Sequence, residues 1–276
     1  MLKKGDSMTR GIFMRFPEGK TKALTFSYDD GFLGDEQLIG IFNKHGLKGT
    51  FNVNTSREEL QDTARYSIYN GHEVAVHTVN HPFLDAMPGG ALVDEILEDR
   101  KALEKITGKI VTGMAYPFHR GGEKIDEALT ATGISYARVT APTYKFTLPE
   151  NWYLWHPTCH HNDEKLDELA DTFLTADPNT NMYKYEPLLF YVWGHSFEFV
   201  NNDNWYVMEN FAKKVENKPE VWYATNKEIY RYVEQYKRLE FSVDLSKVYN
   251  PTSDTMYFFA NEKTQSVRPG ETIYIK

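Results

Sequence analysis

Leu24-Thr25-Phe26-Ser27-Tyr28-Asp29-Asp30-Gly31 decides how this chain reads. Ala23 to Tyr28 is apolar, aromatic or small hydroxyl, the profile of a buried strand entered after Lys22. The strand runs out on two adjacent carboxylates and a turn-forming glycine. Successive side chains of a strand point to opposite sides, so Asp29 and Asp30 are expected to do different work. Two acids side by side at a strand exit repel each other unless a cation or a reaction uses them. An Asp-Asp-Gly turn is ordinary by itself, and residues further along the chain decide its meaning.

Working outward, strand and helix alternate. A helix is predicted over 35–45, with Leu38, Ile41 and Phe42 at helical spacing and Gly46 as its C-cap. A strand comes next at 48–53. Ser56-Arg57-Glu58-Glu59 is a capping-box pattern opening a helix to about Gly71. A third strand covers 73–76. The clearest helix spans 90–106, with Leu92, Val93, Ile96, Leu97, Leu103 and Ile106 on one side. Further strands are predicted at 112–116, 135–139, 152–156, 188–193 and 221–224. Helices are predicted at 123–132, 163–174, 205–216 and 225–237. Sustained alternation from 22 to 238 argues for an α/β fold with parallel strands, near the size of a strand barrel ringed by helices. A doubly wound open sheet is the alternative. After 240 the period changes to two, at 241–245, 255–260, 265–267 and 272–275, with Asn250-Pro251 and Arg268-Pro269-Gly270 as turns. The expected organisation is a lead-in at 1–21, a barrel at 22–240 and a small β appendage at 241–276 packed on the barrel.

Composition narrows the function. The 276 residues carry 41% hydrophobic and 25% charged side chains, as a globular protein does. A net charge of −8 argues against a nucleic-acid partner, which needs basic clusters. The single cysteine, Cys159, allows no intrachain disulfide and suits a reducing compartment. Met1 to Phe16 shows no apolar run after Lys3 and Lys4, and no stretch is long and apolar enough to span a bilayer. A cytoplasmic protein without a membrane partner is expected.

His77-Thr78-Val79-Asn80-His81 is the second decisive stretch. Pro82 disfavours helix at His81, so the reading is a strand exit curling until both rings face one point. Two histidines and one carboxylate, with water at the remaining positions, is the ligand pattern of a catalytic metal site. Asp30 can supply the carboxylate. Tyr116-Pro117-Phe118 and Gly194-His195 leave two further strands. In α/β barrels the chemistry sits where strands end, which gathers Asp29, Asp30, His77, Phe118 and His195 at one mouth.

Ser27-Tyr28-Asp29-Asp30-Gly31, His77-Thr78-Val79-Asn80-His81, Tyr116-Pro117-Phe118 and Gly194-His195 resemble, in order, the motifs of the polysaccharide deacetylases, carbohydrate esterase family four. The resemblance covers about 22–238. It implies a distorted (β/α)7-type barrel and one divalent metal, zinc first, with cobalt, nickel, manganese or iron as alternatives. By matching positions it implies Asp30, His77 and His81 as ligands, Asp29 as general base, His195 as general acid and the Phe118 backbone N–H as oxyanion donor. The implied activity is hydrolytic removal of N- or O-linked acetyl from an acetylated carbohydrate or small acetylated metabolite. Two motif positions depart. The third-motif arginine is replaced by Ala115, for which Arg120 is the nearest substitute. The fourth motif, an aspartate loop, is not recognisable in Trp152-Tyr153-Leu154-Trp155-His156-Pro157-Thr158-Cys159-His160-His161. Tyr116, Pro117, Arg120, Trp155, His160, His161 and Trp193 are the candidate substrate contacts. A hydrolase of cyclic amides on the same fold, and a carbohydrate- or metal-binding protein without turnover, are the alternatives.

Overall fold

A computed structural model describes residues 11–57, 63–118, 123–180 and 186–276. The elements run β1 (Phe13–Arg15), β2 (Lys22–Asp30), α1 (Asp35–Lys44), β3 (Gly49–Val53), β4 (Glu73–Val76), α2 (Gly89–Thr107), β5 (Gly113–Ala115), α3 (Glu123–Ala131) and β6 (Tyr136–Arg138). They continue with β7 (Cys159–His160), α4 (Leu166–Thr175), β8 (Leu188–His195), α5 (Ser196–Asn202), α6 (Trp205–Val215), β9 (Val221–Tyr223) and α7 (Asn226–Tyr236). Five tail strands complete the chain: β10 (Glu240–Phe241), β11 (Lys247–Tyr249), β12 (Met256–Ala260), β13 (Lys263–Val267) and β14 (Thr272–Tyr274).

β2 to β9 form one parallel sheet in the order β6-β5-β4-β3-β2-β8-β7, with β9 beside the start of β2. The segment 155–161 draws this sheet into a barrel. On one side Trp155 N–H donates to Ala137 O and Trp155 O accepts from Val139 N–H; on the other Thr158 and His161 N–H donate to Tyr191 O and Trp193 O. The expected distorted barrel is therefore observed.

The alternation within β2 explains its position at the centre. Leu24, Phe26 and Tyr28 face the helices and pack in the main apolar core, where the Phe26 ring lies 4.5 Å from Phe42 and 5.9 Å from Phe211. Ala23, Thr25, Ser27 and Asp29 are the small or polar alternates, and the last three face inward. Thr25 bonds Asn226 at the foot of α7, and Asn52 donates to both Ser27 Oγ and Asp29 Oδ1, at 2.8 and 2.9 Å. Below them Thr50 and Tyr136 both donate to Glu73. This part of the barrel interior is thus a polar column linked by hydrogen bonds between its buried groups, as burial favours.

Several sequence expectations change. The strand expected at 152–156 is a 3-10 turn at Trp152–Leu154, capped by Asn151, with only Trp155 bridging to β6. Pro157, which lacks an N–H, delays regular pairing until Cys159. The helix expected over 56–71 is a 3-10 helix at Thr63–Tyr69 in its described part; 58–62 lie outside the described residues. The strand expected over 241–245 is only Glu240–Phe241, and β11 is an additional strand. Residues Phe13–Arg15 form β1, antiparallel to β12. Tail residues Val248, Met256, Phe258 and Val267 share an apolar cluster with Phe16, Ala23, Leu189 and Ile229. Among the described residues, no helix is long and apolar enough to cross a membrane.

Candidate metal centre and active site

The site is built at the strand exits, and the backbone is bent to build it. Asp30, Thr78, His81 and Phe118 all have φ between 54 and 77°. Left-handed φ is costly for residues with a Cβ, most of all for β-branched threonine, and such strain concentrates at functional sites. Side chains hold the bent segment 77–81 in place. Asp99 on α2 accepts the His77 N–H at 3.0 Å and both the N–H and Oγ1 of Thr55, at 2.9 and 2.7 Å. Asn54 donates to the carbonyls of His77 and Thr78, and Thr78 Oγ1 accepts the His81 N–H. Glu95 receives both donors of Asn80.

Asp30 Oδ1 lies 3.5 Å from His77 Nε2 and 3.7 Å from His81 Nε2. Asp30 Oδ1 and His77 Nε2 are buried and have no hydrogen-bond partner. Two orphaned buried polar atoms facing each other call for an explanation, and an ion about 2.0–2.2 Å from each ligand fits between them. His77 Nδ1 lies 2.8 Å from Ala115 O, which fixes the proton on Nδ1 and turns the Nε2 lone pair to the gap. Burial also keeps the His77 imidazole below its usual pKa, against the pull of Asp29 and Asp30, so it stays a neutral donor. The residues present fit a divalent cation.

Asp29 is placed differently from its neighbour. It stands in register with Asn52 on β3 and with His195 on β8. Arg138 donates to both of its carboxylate oxygens. Burial pushes the Asp29 carboxyl up, but Arg138, His77 and His195 together hold it below the usual carboxylate range. Its Oδ2 lies 3.9 Å from His77 Nε2 and 4.0 Å from His195 Nε2. Sequence reasoning missed Arg138. Arg138 pairs in register with Ala115, so the arginine absent from β5 stands one strand over. Its signal was an arginine ending an apolar strand. Arg120, the substitute considered from sequence, lies outside the described residues.

Glu198 was missed as well. It lies one helical turn after His195, and its Oε1 is 3.1 Å from His195 Nδ1. That contact leaves His195 Nε2 to face Asp29. Oε2 of Glu198 lies 3.1 Å from His160 Nε2 and 3.0 Å from His161 Nε2. Burial raises the Glu198 carboxyl, but the three imidazoles around it hold it far below the carboxylate range. For His195, burial lowers the pKa, yet Glu198 and Asp29 raise it above the ordinary histidine value. A carboxylate is therefore present beside His195 even though the aspartate loop is not.

The cavity at the mouth holds about 540 Å³ and is lined by Asp29, Asp30, His77, His81, Phe118 and His195, with Tyr116, Trp193 and the loop 140–142 as its walls. The Trp193 ring lies under the Arg138 guanidinium, 4.6 Å away. Other candidates fall elsewhere. Trp155 is buried in the barrel floor against Tyr136 and Tyr191, where its volume fills the core, and is not a mouth residue. His161 is fully buried between Tyr28 and Phe199 and meets Glu198 rather than the cavity. Pro117 is buried outside the lining, and the Tyr116 hydroxyl points away to Tyr153 O. His160 sits beside Trp193, partly exposed.

Fold and site together define a parallel α/β barrel with a candidate Asp-His-His cation site at the exits of its strands. The family model for polysaccharide deacetylase matches residues 17–137. A peptidoglycan deacetylase of Helicobacter pylori is 28% identical over 107 residues, 38% of this chain and 36% of that protein. The chain thus spans about a third of the length of the curated relatives it matches. Among solved structures, a Mycobacterium smegmatis protein assigned to the polysaccharide deacetylases superposes with a TM-score of 0.60 at 19% identity, over 84% of this chain and 96% of that one. The PuuE allantoinase superposes with a TM-score of 0.60 at 14% identity, over 78% and 91%. Both likenesses are of fold. Arg138, His195 and Glu198 lie beyond the segment matched by the family model.

Proposed function

We propose that this chain is a divalent-metal-dependent deacetylase that hydrolyses an acetamido or acetyl-ester group on a carbohydrate. The observation that carries the reading is the orphaned pair Asp30 Oδ1 and His77 Nε2, converging with His81 beside a second carboxylate that they do not share. Asp30, His77 and His81 would hold the ion, zinc before cobalt, nickel, manganese or iron. When bound, such an ion supplies Lewis acidity to a carbonyl oxygen and to water. Asp29, kept ionised by Arg138 and oriented by Asn52, takes the proton of the attacking water. The Phe118 N–H donates to the oxygen that gains charge as the acyl carbon becomes tetrahedral. His195, held through Nδ1 by Glu198, delivers a proton from Nε2 to the departing nitrogen or oxygen. The products are acetate and a free amine or alcohol.

The test is metal content by mass spectrometry alongside acetate release from N-acetylglucosamine oligomers. Wild type is expected to hold about one zinc or similar ion per chain, as one tetrahedral site does. Asp30→Ala and His77→Ala should hold none. Asp29→Asn should hold metal and lose turnover by roughly 10²-fold or more, the contribution of a general base. Full activity in Asp29→Asn would remove Asp29 from the role of base. Opening of a cyclic ureide with no acetate released would replace the sugar substrate by a cyclic amide.

A further inference from the structure

The far side of Glu198 gathers a second set of potential ligands. Oε1 meets His195 Nδ1, while Oε2 lies 3.1 Å from His160 Nε2 and 3.0 Å from His161 Nε2. His160, His161 and Glu198 thus offer two imidazole nitrogens and a carboxylate oxygen within 4.8 Å of one another. The set shares no residue with Asp30, His77 and His81.

His161 is the member that a hydrogen-bonded cluster leaves unexplained. Its ring is fully buried between Tyr28 and Phe199, and both ring nitrogens lack a hydrogen-bond partner. Nε2 is near enough to Glu198 Oε2 to bond it but is out of line. A Cβ at position 194 would collide with His161 Nδ1, so the ring enters only because Gly194 has none. Burial lowers the His161 pKa to about 4, so the imidazole is neutral and has a lone pair to give. A buried polar group without a partner calls for one. Two imidazoles and a carboxylate suit zinc and similar transition ions rather than magnesium or calcium.

His160 sets the strength of the site. Its Nδ1 accepts the Asn162 N–H at 3.1 Å, which puts its resting proton on Nε2. A cation at Nε2 displaces that proton, so this set binds more weakly than the Asp30 set, where Ala115 O already fixes the His77 proton on Nδ1. Access is open, because His160 and Glu198 are both partly exposed. A neighbouring cavity of about 330 Å³ has His161 and Asn162 in its wall and is lined by Asp163, Glu164 and Asp167, whose charge concentrates cations.

We propose that His160, His161 and Glu198 form a second, exchangeable zinc site, which fills when zinc is in excess and takes hold of the carboxylate that orients His195. The site stands apart from the deacetylase reading; its braking of turnover rests on that reading. The test is calorimetric titration of zinc into protein already holding one ion per chain. Wild type should take up about one further ion, more weakly than the first. His160→Gln and Glu198→Gln should each weaken that uptake by about tenfold or more, the loss that even a supporting group brings, and keep the first ion. Asp30→Ala, without the first site, should still take up zinc on titration, and magnesium should not bind. No further uptake, uptake unchanged in both variants (an adventitious surface ion only), or magnesium bound as well as zinc overturns the site. In acetate release, excess zinc should slow wild type and slow His160→Gln by a smaller fraction. A second ion that binds without slowing wild type overturns the brake. No acetate from any substrate overturns the deacetylase reading, and the titration still decides the site.

Discussion

At the residue scale, Asp29 and Asp30 are neighbours with opposite fates, and the alternation of a strand accounts for it. Asp29 is held by Arg138 and Asn52; Asp30 Oδ1 is left without a hydrogen bond, facing two imidazoles. In the proposed deacetylase reading, the acid side of the mechanism depends on Glu198. Its negative charge and that of Asp29 raise His195 above the ordinary histidine pKa, so His195 keeps its proton further into the alkaline range. Glu198→Gln removes one of those charges, and the His195 pKa falls. The alkaline limb of the kcat/KM profile should then move to lower pH by about one unit, which a profile from about pH 5 to 10 on an N-acetyl substrate measures. An unmoved limb would detach His195 from that limb. The two motifs were legible because each is contiguous: Asp29-Asp30 and His77-to-His81 lie within five residues. Arg138 and Glu198 were not legible, because one acts through lateral register with Ala115 and the other through a helical turn that continues a strand without a break.

At the element scale, α2 braces the active site as well as packing on the sheet. Leu92, Ile96 and Leu103 bury its apolar side, and Asp99 on the same helix receives the His77 N–H and two donors of Thr55. Asp99→Ala would leave the buried His77 N–H without its acceptor and free the bent 77–81 segment. Loss of such a supporting group typically weakens metal binding by about 10–100-fold, and a chelator competition titration should show it without loss of the α2 helical signal by circular dichroism. Unchanged affinity would mean that Asn54 and Glu95 hold the segment by themselves. Elements with long periodic patterns, α2 and β8 among them, were readable in advance. Two- and three-residue strands such as β7 and β1 were not, since they offer too few residues to show a period, and their pairing comes from distant segments.

At the scale of the whole molecule, the tail and the barrel share one apolar cluster, and β1 from the other end of the chain is a strand of the tail sheet. Phe258 is fully buried in that cluster. Phe258→Ala should cost about 3–5 kcal/mol, and calorimetry should show one transition at lower temperature rather than a separate early melting of the tail. Two resolved transitions would make the tail an independent unit. The 155–161 segment bears on durability in another way. It carries few main-chain bonds to β6 and β8, interrupted by Pro157, while β2 is bonded along its length on both sides. The barrel has a thinly bonded stave there, and local opening favours such a place. In hydrogen exchange the amides of Trp155, Thr158 and His161 should lose protection well before those of Phe26 and Tyr28. Because His160 and His161 leave from that stave to surround Glu198, each opening also unseats the partner of His195. On warming, catalysis should therefore fade while the fold is still intact, and inactivation below the melting transition should reverse on cooling.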